Sequence, residues 1–259
     1  MTALPEPARP APPQGAGHTD GYALFLDFDG TLVDLAPRPQ DVRVAPGLGE
    51  TLERLRDRVG GALALVSGRP VAVLDGFLDP HRFDAAGLHG VETRRAGRFT
   101  ASAGADDPVL RAAVAQFADF ARRHPGILVE DKGRSVALHW RLAPELEDEA
   151  IAQGAVALER MGPDWRIQAG KSVLEILPAF ASKAGAVQGF LQAPPYAGRL
   201  PIFVGDDVTD EHGFEAALAL GGLAIRIGEG PTVAPWRLPS PSAFRERLKA
   251  WAEGEPFGV

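Results

Sequence analysis

The sequence predicts an open parallel α/β sheet interrupted by an inserted α+β module. Three observations carry that expectation. Short apolar runs alternate with amphipathic helical patterns over residues 22–86 and again over 182–227, the spacing of a parallel sheet with crossover helices. Several of those runs end abruptly in carboxylates, hydroxyls or glycine, as strands do where a parallel sheet presents its ligand-binding edge. Between about residues 102 and 179 the pattern changes to helix, two strands, helix, two strands.

The first run is Tyr22 to Leu26, which exits into Asp27-Phe28-Asp29-Gly30-Thr31-Leu32-Val33. Two carboxylates two residues apart at a strand end repel each other unless a cation joins them. Hard oxygen ligands suggest Mg²⁺, and Gly30 permits a turn whose N–H groups could meet a phosphate. A Pro-containing loop, Asp34 to Asp41, leads to a helix with Leu48, Leu52, Leu55 and Val59 on one face. Gly60 and Gly61 stop it. Ala62 to Val66 is the next buried strand and exits into Ser67-Gly68-Arg69-Pro70. A short helix, Val71 to Leu78, precedes a strand around Phe83 to Ala86.

Val91 to Ala105 is polar and Gly-bearing. Asp106-Asp107-Pro108 then opens a helix with proline near its first turn, striped by Leu110, Val114, Phe117 and Ala121. Ile127–Glu130 and Ser135–Arg141 read as a hairpin whose second arm alternates Val136, Leu138 and Trp140 with wetter positions. Pro144 and an acidic first turn begin another helix. Trp165–Ala169 and Lys171–Leu177 make a second strand pair. After Pro178, a helix starts at Ser182-Lys183. The strand Pro201–Val204 exits into Gly205-Asp206-Asp207-Val208-Thr209-Asp210-Glu211, Leu223–Ile227 is one more strand, and Phe244, Leu248 and Trp251 mark a last helix. The expected organisation is a Pro-rich disordered tail over 1–20, a core from 21–101 and 180–252, the inserted module over 102–179, and a tail over 253–259.

Composition narrows the function classes. The 259 residues are 45% hydrophobic and 24% charged, with a formal net charge of −7. No Lys/Arg-rich run suggests nucleic acid, and no window approaches the roughly 18 apolar residues of a membrane span. The absence of cysteine excludes disulfides and thiolate metal sites and points to a reducing, cytoplasmic setting. The first 20 residues lack the basic start and apolar centre of a signal peptide.

Taken singly, each polar strand exit has a bland reading: an Asx-turn at Asp27, a simple turn at Ser67, a solvated Lys183, an N-cap at Asp206-Asp207. Their recurrence at one sheet edge, in this order, is harder to explain that way. The first string resembles motif I of the haloacid dehalogenase superfamily. With Ser67-Gly-Arg-Pro, Ser182-Lys-Ala-Gly and Gly205-Asp-Asp-Val-Thr-Asp-Glu it is similar to the trehalose-6-phosphate phosphatase family over essentially the whole chain after residue 20. One departure stands out: Leu88-His89-Gly90 carries leucine where the family often has glutamate.

The resemblance implies a Rossmann-like core with an α+β cap, and a sugar-phosphate substrate. It implies Asp27 as nucleophile, Asp29 as general acid and base, and Ser67 and Lys183 as phosphate partners. Mg²⁺ would be held by Asp27, the Asp29 carbonyl and Asp206, with Asp207 or Asp210 assisting. Gly30, Arg69 and His89 would meet substrate from the core. In the cap, Glu130 with Lys132, His139 with Arg141, and Lys171 with Glu175 are spaced to share strand faces and would read sugar hydroxyls. A trehalose-phosphate synthase is a candidate partner. The rival readings are another capped sugar phosphatase of the sucrose-phosphate or mannosyl-phosphoglycerate type, a receiver-type phosphoacceptor, and a non-catalytic partner of a synthase.

Overall fold

The computed structural model describes residues 21–102 and 107–257. The expected tail over 1–20 lies outside them, as do residues 103–106 and the last two residues of the expected C-terminal tail. In chain order the first part of the core comprises β1 (Tyr22–Leu26), α1 (Leu48–Arg58), β2 (Leu63–Val66), α2 (Val71–Leu78), β3 (Asp84–Gly87), β4 (Glu92–Arg95) and β5 (Arg98–Ala101). The inserted cap follows with α3 (Pro108–Arg123), β6 (Leu128–Asp131), β7 (Val136–His139), α4 (Glu147–Met161), β8 (Trp165–Gly170) and β9 (Val173–Pro178). The core then resumes with α5 (Lys183–Leu191), β10 (Leu200–Gly205), α6 (Glu211–Ala219), β11 (Leu223–Ile227), β12 (Trp236–Leu238) and α7 (Pro241–Ala252).

The core sheet has the order β12-β11-β10-β1-β2-β3-β4-β5. The six strands from β12 to β3 are parallel. All five residues of β1 are buried, which explains their unbroken apolar run: a central parallel strand is covered on both faces. The helices pair as α1 with α7 and α5 with α6.

Two core elements were not legible. The polar stretch after β3 is an antiparallel hairpin, β4–β5, at the sheet edge. Its turn is Ala96-Gly97, both at positive φ (49° and 75°), as a tight hairpin requires. The four residues of β5 are exposed, so no buried face imposes an alternation. β12 is only three residues long and equally patternless.

The cap sheet has the order β6-β7-β9-β8, antiparallel throughout. Leu110, Phe117 and Phe120 of α3 and Ala157 of α4 pack with Val136, Leu138 and Ile176 in a core separate from the main one. The helices thus cover one face and leave the other free. Two strand limits shift from expectation. Arg141 lies beyond β7, and Lys171 with Ser172 forms the β8–β9 turn rather than the start of β9. Ser172 sits at φ 61°, which ends the strand geometry there. No helix among the described residues is long and apolar enough to cross a membrane.

Candidate active site

The carboxyl ends of β1, β2 and β10 and the start of α5 converge beneath the free face of the cap sheet, enclosing a cavity of about 480 Å³. Of the residues singled out from sequence, all but Gly30 and Asp210 line it.

At its floor the Asp27 N–H continues the ladder to Val204 O at 2.9 Å, so the carboxylate projects just past the strand end. Lys183, the first residue of α5, is fixed by a helix start in which Ser182 Oγ accepts from the Gly185 N–H at 2.9 Å. Its Nζ donates to Asp27 Oδ1 at 2.8 Å and to Asp210 Oδ1 at 2.6 Å. All three groups are buried. Burial opposes the lysine charge, but Asp210 and Asp27 outweigh it and raise the Lys183 pKa. Asp210 Oδ2 in turn accepts from the N–H groups of Asp206 and Asp207 at 3.1 and 3.0 Å, which shapes the loop after β10.

Carboxylate oxygens of Asp27, Asp206 and Asp210 lie within 4.8 Å of one another. Burial and the charge of Asp210 push the Asp206 carboxyl up to about 7. Burial likewise raises Asp27 despite Lys183. Three carboxylates gathered about one ammonium leave the pocket short of positive charge, and an oxygen-only donor set of this size fits a hard divalent cation. Asp207 lines the cavity beside this cluster, outside it. Gly30, at φ +77°, makes the cluster possible: a Cβ built there would fall 2.0 Å from Asp206 Oδ2.

Asp29 faces the other way. Arg69 grips both its carboxylate oxygens, Nε to Oδ2 at 2.6 Å and Nη2 to Oδ1 at 2.7 Å, a bidentate fork. Ser67 is buried, and its Oγ accepts from the Arg69 N–H at 3.1 Å.

The roof is built by register. Glu130 pairs with Ala137, Ala137 with Glu175, and Glu175 with Gln168, so these four form one row across all four cap strands on the face away from the helices. Glu175 accepts from Lys132 Nζ at 2.7 Å and from the Ser135 hydroxyl at 2.6 Å. Burial alone would raise its pKa, yet Lys132 and His89 hold it far below the usual carboxylate range. Glu130 lies 3.1 Å from His139 Nε2. Arg141 donates to Ala36 O and Lys171 O at 3.1 and 3.3 Å, tying the cap's rim to the loop after β1. From the core, buried His89 at φ 56° brings its Nε2 to 3.0 Å from Gln168 Nε2. Burial lowers its pKa, and Glu175 opposes that shift.

Sequence reasoning missed Gln168 and Arg226. Gln168 is two residues from Arg166 on β8 and opposite Glu175, so pairing the strands in register would have found it. Arg226 is a lone cation in the apolar run of β11. It lines the cavity and reaches Glu211 Oε1 and Glu229 O, both at 3.2 Å. Leu88, the departure noted above, is fully buried in a small apolar cluster with Val91, Leu177 and Ala181 where core and cap join.

Residues 25–242 match the trehalose-phosphatase family. A probable trehalose-phosphate phosphatase of Sinorhizobium fredii is 49% identical over 240 residues, covering 90% of this chain and 88% of the relative. The trehalose-6-phosphate phosphatase of Escherichia coli is 41% identical over 217 residues, 84% of this chain and 81% of that one. The crystal structure of a trehalose-6-phosphate phosphatase related protein superposes with a TM-score of 0.73 at 25% identity, covering 89% of this chain and 97% of the other. With an acid cluster under a capped cavity and near-full-length similarity of this kind, the chain belongs to the trehalose-phosphatase family.

Proposed function

We propose that this protein hydrolyses trehalose 6-phosphate to trehalose and phosphate. The observation that carries the reading is the single cavity in which the Asp27–Lys183 floor faces the Glu130–Glu175–Gln168 row of the cap. One end suits a phosphate, the other a polyhydroxylated sugar.

A phosphate monoester resists attack because its anionic oxygens repel nucleophiles, so catalysis needs positive charge around the phosphoryl group and an in-line nucleophile. Asp27 is the proposed nucleophile: one carboxylate oxygen bonds to phosphorus as the sugar–oxygen bond to phosphorus breaks, giving an aspartyl-phosphate. Lys183 fixes that carboxylate through Oδ1. Asp29 gives its proton to the leaving sugar oxygen and later takes one from the water that hydrolyses the intermediate. Carrying a proton requires Arg69 to release one of the two Asp29 oxygens, and a phosphate drawn to the guanidinium supplies that exchange. Ser67 completes the phosphate contacts. Mg²⁺, held by Asp27, the Asp29 carbonyl and Asp206 with Asp207 or Asp210 assisting, would offset negative charge on both the carboxylates and the phosphoryl oxygens.

In the cap, the charged pairs around Glu175, Lys132, Glu130, His139, Arg141 and Lys171 are the proposed readers of the sugar. A trehalose-phosphate synthase is the proposed source of substrate, and the cytoplasm the proposed setting. The test is Mg²⁺-dependent phosphate release from a panel of sugar phosphates and from p-nitrophenyl phosphate, with Glu175→Ala and Lys171→Ala beside the parent. A lost hydrogen bond to a charged group is worth roughly 1.5–3 kcal/mol, or about ten- to a hundredfold in kcat/KM. That loss is expected on trehalose 6-phosphate and not on the small ester. Equal losses on both substrates would refute sugar reading by these residues, and preference for another sugar phosphate would refute the substrate.

A further inference from the structure

The β6–β7 turn of the cap meets the core twice along one loop. Lys132 Nζ donates to Gly68 O at 3.2 Å. Two residues on, Arg134 Nε lies 3.5 Å from Glu92 Oε1. Glu92 is a buried residue of β4, and its other oxygen accepts from the Val71 N–H at 2.8 Å. Val71 opens α2, where the preceding Pro70 has no side-chain acceptor to offer, so the Glu92 carboxylate serves the bare helix N-terminus. Ser67, Gly68 and Arg69 lie immediately before this helix. The loop that carries them is therefore held at Gly68 by the cap directly, and at Val71 by a core carboxylate that the cap touches. Glu92 and Arg134 stand outside the cavity lining.

We propose that Arg134 and Glu92 are positioning residues, whose ion pair fixes closure of the cap and passes it through the Val71 N–H to the Ser67–Arg69 loop. The functional meaning of this device rests on the proposed phosphate role of Ser67 and Arg69. Its geometry does not. With the cap open, Glu92 keeps only Val71, Gly68 O loses Lys132, and the loop is tethered on one side. The Arg134 side chain is about one-fifth exposed and that of Glu92 about one-eighth, so the pair is shielded enough to matter and open enough to exchange.

The parent chain has no cysteine, so Val156→Cys on α4 and Leu220→Cys after α6, both at exposed positions, give two unique thiols for a donor–acceptor dye pair. Single-molecule energy transfer then reads the closed-to-open ratio without substrate. Glu92→Gln removes the charge but keeps an oxygen for Val71, and Arg134→Gln removes the partner. Each is expected to shift the ratio roughly two- to fivefold toward open. The double variant should shift it no further than either single one, because both break the same contact. At saturating Mg²⁺, kcat/KM for trehalose 6-phosphate should fall with the closed fraction. An unchanged ratio in Arg134→Gln, or shifts that add in the double variant, would overturn the proposal. Should Glu92→Gln fail to fold, Arg134→Gln carries the test alone. A wrong substrate reading would leave the energy-transfer result standing, so the two failures are distinguishable.

Discussion

Lys183→Met removes one charge from the most buried ionic group in the site while keeping a stem of similar length. Asp27 and Asp210 then face each other without the ammonium that bridges them at 2.8 and 2.6 Å. Breaking a buried pair by removing one partner costs about 3–5 kcal/mol. For a chain of this size each kcal/mol moves Tm by about 2–4 °C, so a fall of about 6–20 °C is expected in EDTA. The pH dependence follows from the direction of the shift. The Lys183 pKa is raised above its ordinary 10.5, so its contribution is whole below that value and is lost only as pH rises through the folded pKa. The deficit of the variant should thus be full at about pH 8 and shrink on acidification, as the stranded aspartates take up protons instead. Asp210→Asn added to Lys183→Met should recover part of the loss. Calorimetric melting of the three proteins in EDTA measures this. A deficit under about 1 kcal/mol would refute the view that this lysine is the counter-charge of the floor.

Two further outcomes follow from the acid cluster. The Asp206 carboxyl is raised from 3.8 to about 7, so its native proton stabilises the fold below the lower value and that contribution is lost as pH rises through the higher one. Metal-free protein should lose stability across that window, and Mg²⁺ binding at about pH 6 should release a proton, seen by titration calorimetry in two buffers of different ionisation enthalpy. No release at that pH would contradict the shared site. Gly30→Ala places a Cβ 2.0 Å from Asp206 Oδ2 at φ +77°. Mg²⁺ affinity should fall by about tenfold or more, alongside a cost of about 1–2 kcal/mol in the backbone. Unaltered affinity by calorimetry would count against the cluster as drawn.

Much of this protein is legible in its sequence. A buried parallel strand needs apolar residues on both faces, so β1, β2 and β10 stand out as unbroken runs and β11 as a run interrupted only by Arg226. Because parallel sheets place ligands at one edge, the polar exits Asp27, Ser67 and Asp206 announce a common site. What tertiary structure alone decided concerns groups that no local pattern constrains. The outer arm of the hairpin, β5, is exposed at the sheet edge, and with no face to bury it has no period to show. Lys171 reads from its sequence as the start of a strand, yet Ser172 at φ 61° makes the pair a turn, a backbone state the sequence does not display. Gln168 became a site residue only through its register opposite Glu175. The fork between Arg69 and Asp29 joins residues 40 positions apart, and the bridge from Lys183 to Asp27 spans 156. The chemistry of each side chain was fixed by its identity. Which partners it met, and how far each proton was displaced by burial, depended on a fold that brings distant strand ends within one cavity.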